Sequence, residues 1–235
     1  MRTHARPATG HTGGDDVRHD HDERGTRRRR RLTQAEERRL RRFERVAADL
    51  QAQGYERVEL TVGLLQANIF ALALAVPLCV GATFAFMLLH PDVTLLFDLR
   101  PPRLAADLAI LLALVVTHEL IHGVTWGRFA RGGLRDVEFG FVARYLSPYC
   151  TCTTPLPRRA YLLGGLMPLI VLGLVPLCVA LVAGSPPLLA VGVLMTLAAG
   201  GDMLVVLRVL AHRTDAVESV VYDHPTQAGC VVFER

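Results

Sequence analysis

The 235-residue sequence predicts an all-α integral membrane protein, with four transmembrane helices, small cytoplasmic β elements and a disordered basic N-terminal tail. Three observations carry that class. Four nearly uncharged runs reach the roughly 20 apolar residues that a bilayer crossing needs. The chain is 51% apolar yet 20% charged, and the charge is segregated: residues 1–45 hold 14 Arg against 8 Asp and Glu, while the remainder holds 12 against 14. Short apolar–polar alternations of strand type fall outside the four runs. A hydrophilic arm on so apolar a body excludes an ordinary soluble domain and a secreted disulfide scaffold.

Residues 1–31 combine Gly, Thr, Asp, four of the nine histidines and an unbroken Arg27–Arg31, a composition that cannot bury a core. Thr33-Gln-Ala-Glu36 has the form of a capping box, and Leu40, Phe43, Val46, Ala47 and Leu50 follow at helical spacing. Residues 32–54 are therefore expected to form a basic amphipathic helix on the inner leaflet, stopped by Gly54. Val58, Leu60 and Val62 alternate with polar residues ahead of the first run. The spans are placed at 69–89, 108–127, 160–183 and 188–207 within a four-span domain, 55–209. No signal peptide precedes the first span, which should remain as an anchor. Val137, Phe139 and Phe141 alternate in the loop between the second and third spans, and Pro168 and Pro176 should kink the third. In the tail 210–235, Ser219–Tyr222 and Cys230–Phe233 read as a hairpin, with Asp223 and His224 as turn residues.

Arginine fixes the orientation. Fifteen precede residue 69, six lie in 128–159 and three in the C-terminal tail, whereas the opposite side has only Arg100 and Arg103. The positive-inside rule then puts both termini and the central loop in the cytoplasm of a multi-pass inner-membrane protein. Cys150 and Cys152 are expected to be reduced loop thiols, with a redox or auxiliary metal role as the alternative.

Ionisable groups inside a span are costly and persist where they face one another or a cavity. The four spans contain only His118, Glu119, His122 and Asp202. His118-Glu119-Leu120-Ile121-His122 is an HExxH pentad, for which this composition gives about 0.014 accidental matches. Residues four apart lie on one helix face, so both imidazoles can reach one tetrahedral zinc while Glu119 projects beside the open position. Asp202 is the third expected ligand. At about 1.5 Å per residue it lies roughly 21 Å into the fourth span, the depth reached by His122, with His118 at roughly 15 Å. Gly200 and Gly201 would allow close helix approach.

Thr117-His-Glu-Leu-Ile-His-Gly123, the loop with Phe139-Gly-Phe141 and Tyr149-Cys-Thr-Cys152, and Gly201-Asp202 together resemble a family of small bacterial membrane proteins, the zincin peptidases long carried as a domain of unknown function. The resemblance covers about 55–235. The chain is more distantly similar to site-2 protease-type intramembrane metalloproteases. That similarity implies His118, His122 and Asp202 as zinc ligands and Glu119 as catalytic base. It also implies metal-assisted hydrolysis of peptide bonds in membrane or membrane-proximal substrates, with zinc-bound water activated by Glu119. An extended substrate would pair with the alternating segment Val137–Val142.

The alternatives are a metal-binding pseudoenzyme and a non-catalytic membrane adaptor whose Arg-rich arm binds anionic lipid or nucleic acid. Anionic headgroups are the expected partner of that arm, and topology control alone explains its charge.

Overall fold

The computed structural model describes residues 33–94, 100–142 and 147–235, so the arginine-rich tail 1–31 lies outside the described residues. Helix α1 (Gln34–Ala52) starts at the expected capping box: Glu36 N–H donates to Thr33 Oγ1 at 3.3 Å and Thr33 N–H to Glu36 Oε2 at 2.8 Å. It ends before Gly54, whose φ of 86° is a left-handed conformation that favours glycine. Its apolar face does not rest on a leaflet. Phe43 and Ala47 are buried against Tyr222, Val231 and Phe233 of the C-terminal hairpin, because a folded apolar surface of this chain was available to cover them.

That hairpin forms from β5 (Ser219–Asp223) and β6 (Ala228–Glu234) and recruits two further strands. With β1 (Glu56–Val62) and β4 (Leu156–Pro157) it builds an antiparallel sheet of order β1-β6-β5-β4. Gly229, at φ 118°, lets β6 pass so close to β1 that any Cβ there would overlap the carbonyl oxygen of Leu60. Alternation along the strands serves two buried faces. Tyr222, Val231 and Phe233 meet α1, whereas Val221, Cys230 and Val232 meet Trp126, Tyr161 and Val209 at the ends of the membrane-type helices. The sheet is thus a layer between α1 and those helices.

Helices α2 (Leu64–Leu89) and α3 (Pro101–Phe129) are followed by α4 (Arg158–Pro168), a π-helical turn at Leu169–Leu174 directly after Pro168, and α5 (Val175–Ala183). The segments Leu65–Leu89, Pro101–Phe129 and Arg158–Ala183 are each long and apolar enough to cross a membrane. Helices extend beyond their apolar runs where local chemistry allows. Prolines in the first turn start α3 seven residues before the expected Leu108, and the Arg103–Asp107 pair supports that polar extension.

The fourth run departs from expectation. It is two helices, α6 (Pro186–Ala198) and α7 (Gly200–Ala211), bent by 50° at Ala199. Two consecutive glycines weaken the helix there, and Gly200 packs its backbone on Ala71 of α2, where an added Cβ would sit 3.0 Å from the carbonyl oxygen. Helix α3 packs on α4, α4 on α7 and α7 on α2, with α5 packed on α6. Leu108, Leu112, Val116, Leu120 and Val124 form an exposed apolar stripe on α3, as expected of a helix facing hydrocarbon. The hairpin of β2 (Val137–Val142) and β3 (Ser147–Cys152) lies along the second half of α3, with Phe139 seated where Gly123 leaves no side chain.

Candidate metal centre

Residues 118, 122 and 126 fall on one face of α3 and carry two imidazoles and an indole. The two histidines meet edge to face with ring centroids 4.9 Å apart. Trp126 stacks on His122 at 4.9 Å, and Tyr161 of α4 stacks on Trp126 at 5.6 Å. His122 Nδ1 donates to the carbonyl oxygen of Gly164 at 2.8 Å, and Trp126 Nε1 donates to that of Tyr161 at 3.2 Å. With its proton on Nδ1, a neutral His122 ring turns a bare Nε2 lone pair toward the centre of the site.

The bend at Ala199 brings in the fourth polar group. Asp202 lies in the first turn of α7, where the helix dipole favours a carboxylate. Its Oδ2 is 3.1 Å from His118 Nε2 and 3.4 Å from His122 Nε2, and the two Nε2 atoms are 3.2 Å apart. Both histidines are buried, at 7% and 4% exposure. Four atoms bonded tetrahedrally to zinc at about 2.0–2.1 Å stand about 3.3 Å from one another. The three atoms therefore match one face of a zinc coordination tetrahedron. The donor chemistry agrees: in the neutral Nδ1–H form of His122, its Nε2 lone pair and Asp202 Oδ2 face each other at 3.4 Å, a pair of electron-rich atoms that a shared cation makes attractive. His118 Nδ1 is buried without a protein partner, so this ring is oriented only through Nε2.

The cluster opens into a cavity of about 700 Å³ whose wall includes Glu119, Arg39, Tyr149, Cys150, Gly201 and Asp223. Glu119 is half-buried beside the histidines and shares the cavity wall with Cys150. Of the two hairpin strands, β3 borders the cavity and β2 lies behind it. Among the described residues β2 pairs with β3 alone, in a two-stranded sheet.

Asp223 is more than a turn residue. It accepts hydrogen bonds from Tyr161 Oη at 2.6 Å and Thr151 Oγ1 at 2.7 Å, tying β5 to α4 and β3, while burial pushes its carboxyl pKa up. His224 does cap the turn, its Nδ1 accepting from the N–H groups of Thr226 and Gln227. Burial pushes the Cys150 and Cys152 thiols up, and no disulfide joins cysteines among the described residues. Trp126 could have been found in the sequence as the next residue on the His118/His122 face. Gly164, Asp223 and Thr151 carry no such signal.

Residues 111–217 match the family model described as "Putative zincin peptidase". The matched stretch is a little under half of the chain, and it contains His118, Glu119, His122 and Asp202 but not Asp223. No curated protein and no solved structure matches the chain. The zincin description implies a zinc-dependent peptidase, and among the described residues the converging His118, His122 and Asp202 form a group able to hold the ion.

Proposed function

We propose that the protein is a membrane-embedded zinc metallopeptidase that hydrolyses peptide bonds of membrane or membrane-proximal proteins. The observation that carries the reading is the triangle of His118 Nε2, His122 Nε2 and Asp202 Oδ2, with sides of 3.1–3.4 Å, beside a half-buried Glu119. Zinc held by these residues supplies a Lewis acid that polarises the scissile carbonyl and acidifies water. Glu119 is placed to take a proton from the attacking water and pass it to the departing amine. Gly164 and Trp126 hold His122 in the tautomer and orientation that a ligand needs.

The membrane reading rests on three to four helices of sufficient length and apolarity. Strands from before the first span, from the central loop and from the C-terminal segment share one sheet, which supports a single side for all three. Arginine-rich flanks make that side the cytoplasm. The N-terminal arm then meets anionic headgroups of the inner leaflet. Likeness to site-2 proteases extends to HExxH on one span and an Asp on a later one.

Elemental analysis of detergent-purified protein tests the centre. About one zinc per chain is expected in the wild type and in Glu119→Gln, with depletion in His118→Ala and Asp202→Ala. Cleavage of a membrane-derived peptide should disappear in all three variants. A wild type that stays metal-free after zinc reconstitution refutes the reading.

A further inference from the structure

We propose that Arg39 is a carboxylate-binding site of the substrate cavity, so that the preferred substrates carry an acidic side chain or a free C-terminus a few residues from the bond that is cut. The inference deepens the peptidase reading and rests on it.

Two arginines of α1, Arg39 and Arg42, line the cavity that holds the His118/Glu119/Asp202 cluster. Arg42 is committed to Glu138, Nη1 to Oε2, at 2.6 Å. Arg39 has no acidic partner among the described residues, and its Nε is buried without a hydrogen-bond acceptor. A guanidinium so placed is a donor lacking its acceptor, and a carboxylate is the acceptor that fits its fork with two parallel bonds.

The group is also held in position. Its Cζ lies 4.4 Å from the ring centroid of Tyr149, a cation–π contact that holds the guanidinium in place. Tyr149 in turn lies over Gly140, where any Cβ would overlap the phenol ring, so the glycine of Phe139-Gly140-Phe141 is what lets that ring lie flat. The residue after Tyr149 is Cys150, which lines the same cavity as Glu119. One strand thus carries both the stacking partner of the arginine and a neighbour on the wall that holds the proposed base. Among the described residues, none of the four acids lining the cavity forms an ion pair with Arg39: Glu36 Oε2 accepts from Thr33 N–H and Oγ1, Glu119 lies beside the histidines, Asp202 faces them, and Asp223 is held by Tyr161 and Thr151.

The test uses the full chain in detergent with Glu119→Gln as background, so that bound peptide stays intact. Trp126 is the only tryptophan, and it lines the cavity, which makes its fluorescence the reporter. The probes are N-acetylated decapeptides of Ala, Leu and Val in three forms: one Glu with a C-terminal amide, one Gln with a free C-terminus, and one Gln with an amide. The Glu or Gln is moved through the sequence. At least one carboxylate form should bind about 10- to 100-fold tighter than the neutral form, and which form does so identifies the source of the carboxylate. Arg39→Gln should collapse that ratio toward one, and Arg39→Lys should recover part of it. Equal affinity for all three forms, no detectable affinity, or a ratio that survives Arg39→Gln overturns the inference. Zinc content of each variant shows that the fold is retained. Cleavage by wild type without carboxylate preference would keep the peptidase and sink Arg39. Carboxylate preference without any cleavage would do the reverse.

Discussion

Replacing Gly164 by alanine should loosen the metal centre without touching a ligand. An added Cβ would lie well inside van der Waals contact of Trp126 Cδ1 and Nε1. Non-bonded carbons settle at about 3.5 Å, so the indole must withdraw by about 1 Å or more. It has little room, being stacked between His122 at 4.9 Å and Tyr161 at 5.6 Å. The displacement therefore passes to His122, whose Nδ1 donates to the carbonyl of Gly164 itself at 2.8 Å. Overpacking of this kind costs about 1–3 kcal/mol, and loss of a hydrogen bond behind a ligating histidine lowers metal affinity about 10- to 100-fold. Chelator competition on the purified protein measures that affinity directly. Gly165→Ala is the control, because its new methyl meets only a terminal methyl of Val206 at 2.9 Å, which can turn away. Zinc affinity within about threefold of wild type in a folded Gly164→Ala would refute this role for the Gly164–His122–Trp126 arrangement.

Gly201 faces open space in the cavity wall, so Gly201→Leu should fold and keep its zinc while obstructing peptide cleavage, read as a fall in turnover at unchanged metal content. Phe43 is 2% exposed between α1 and the sheet, and Phe43→Ala should cost about 3–4 kcal/mol and free α1 for proteolysis, read by denaturation and trypsin digestion. Alkaline solution should destabilise the fold. Burial pushes the Cys230 thiol and the Tyr222 phenol each up to about 12, so the unfolded chain loses these protons at lower pH than the folded one. Stability is full below the ordinary thiol value of about 8.5 and falls as pH rises from there toward the folded values, by about 1.4 kcal/mol per pH unit for each group inside its window. Thermal melts from pH of about 8 to about 11 follow the decline, and Cys230→Ala should make it shallower.

The break between α6 and α7 shows how a membrane-type helix can deliver a carboxylate to a buried centre. A straight fourth span would present Asp202 on an uninterrupted helix wall. The bend puts it instead in a first helical turn, where backbone dipoles favour its charge, and leaves Gly201 beside it as open volume.

Much was legible in the chain because it depends on local spacing. Four apolar runs, the capping box at Thr33, the alternation that became β1, β2, β5 and β6, and the i, i+4 histidines each follow from the period of one element. Asp202 was also legible, since an acid in an apolar run has few reasons to be there. Contacts between distant segments were not. The same apolar face of α1 could lie on a leaflet or on a sheet, and only the assembled hairpin decided which. Alternation marked β2 as a strand, but its antiparallel partner β3, which begins Ser147-Pro148, shows only in the folded chain. Asp223 reads as a turn former until Tyr161 and Thr151, 62 and 72 residues away in sequence, reach it. Residue type and periodicity set which groups can do chemistry, whereas the partners that orient them come from tertiary packing, which no local period encodes.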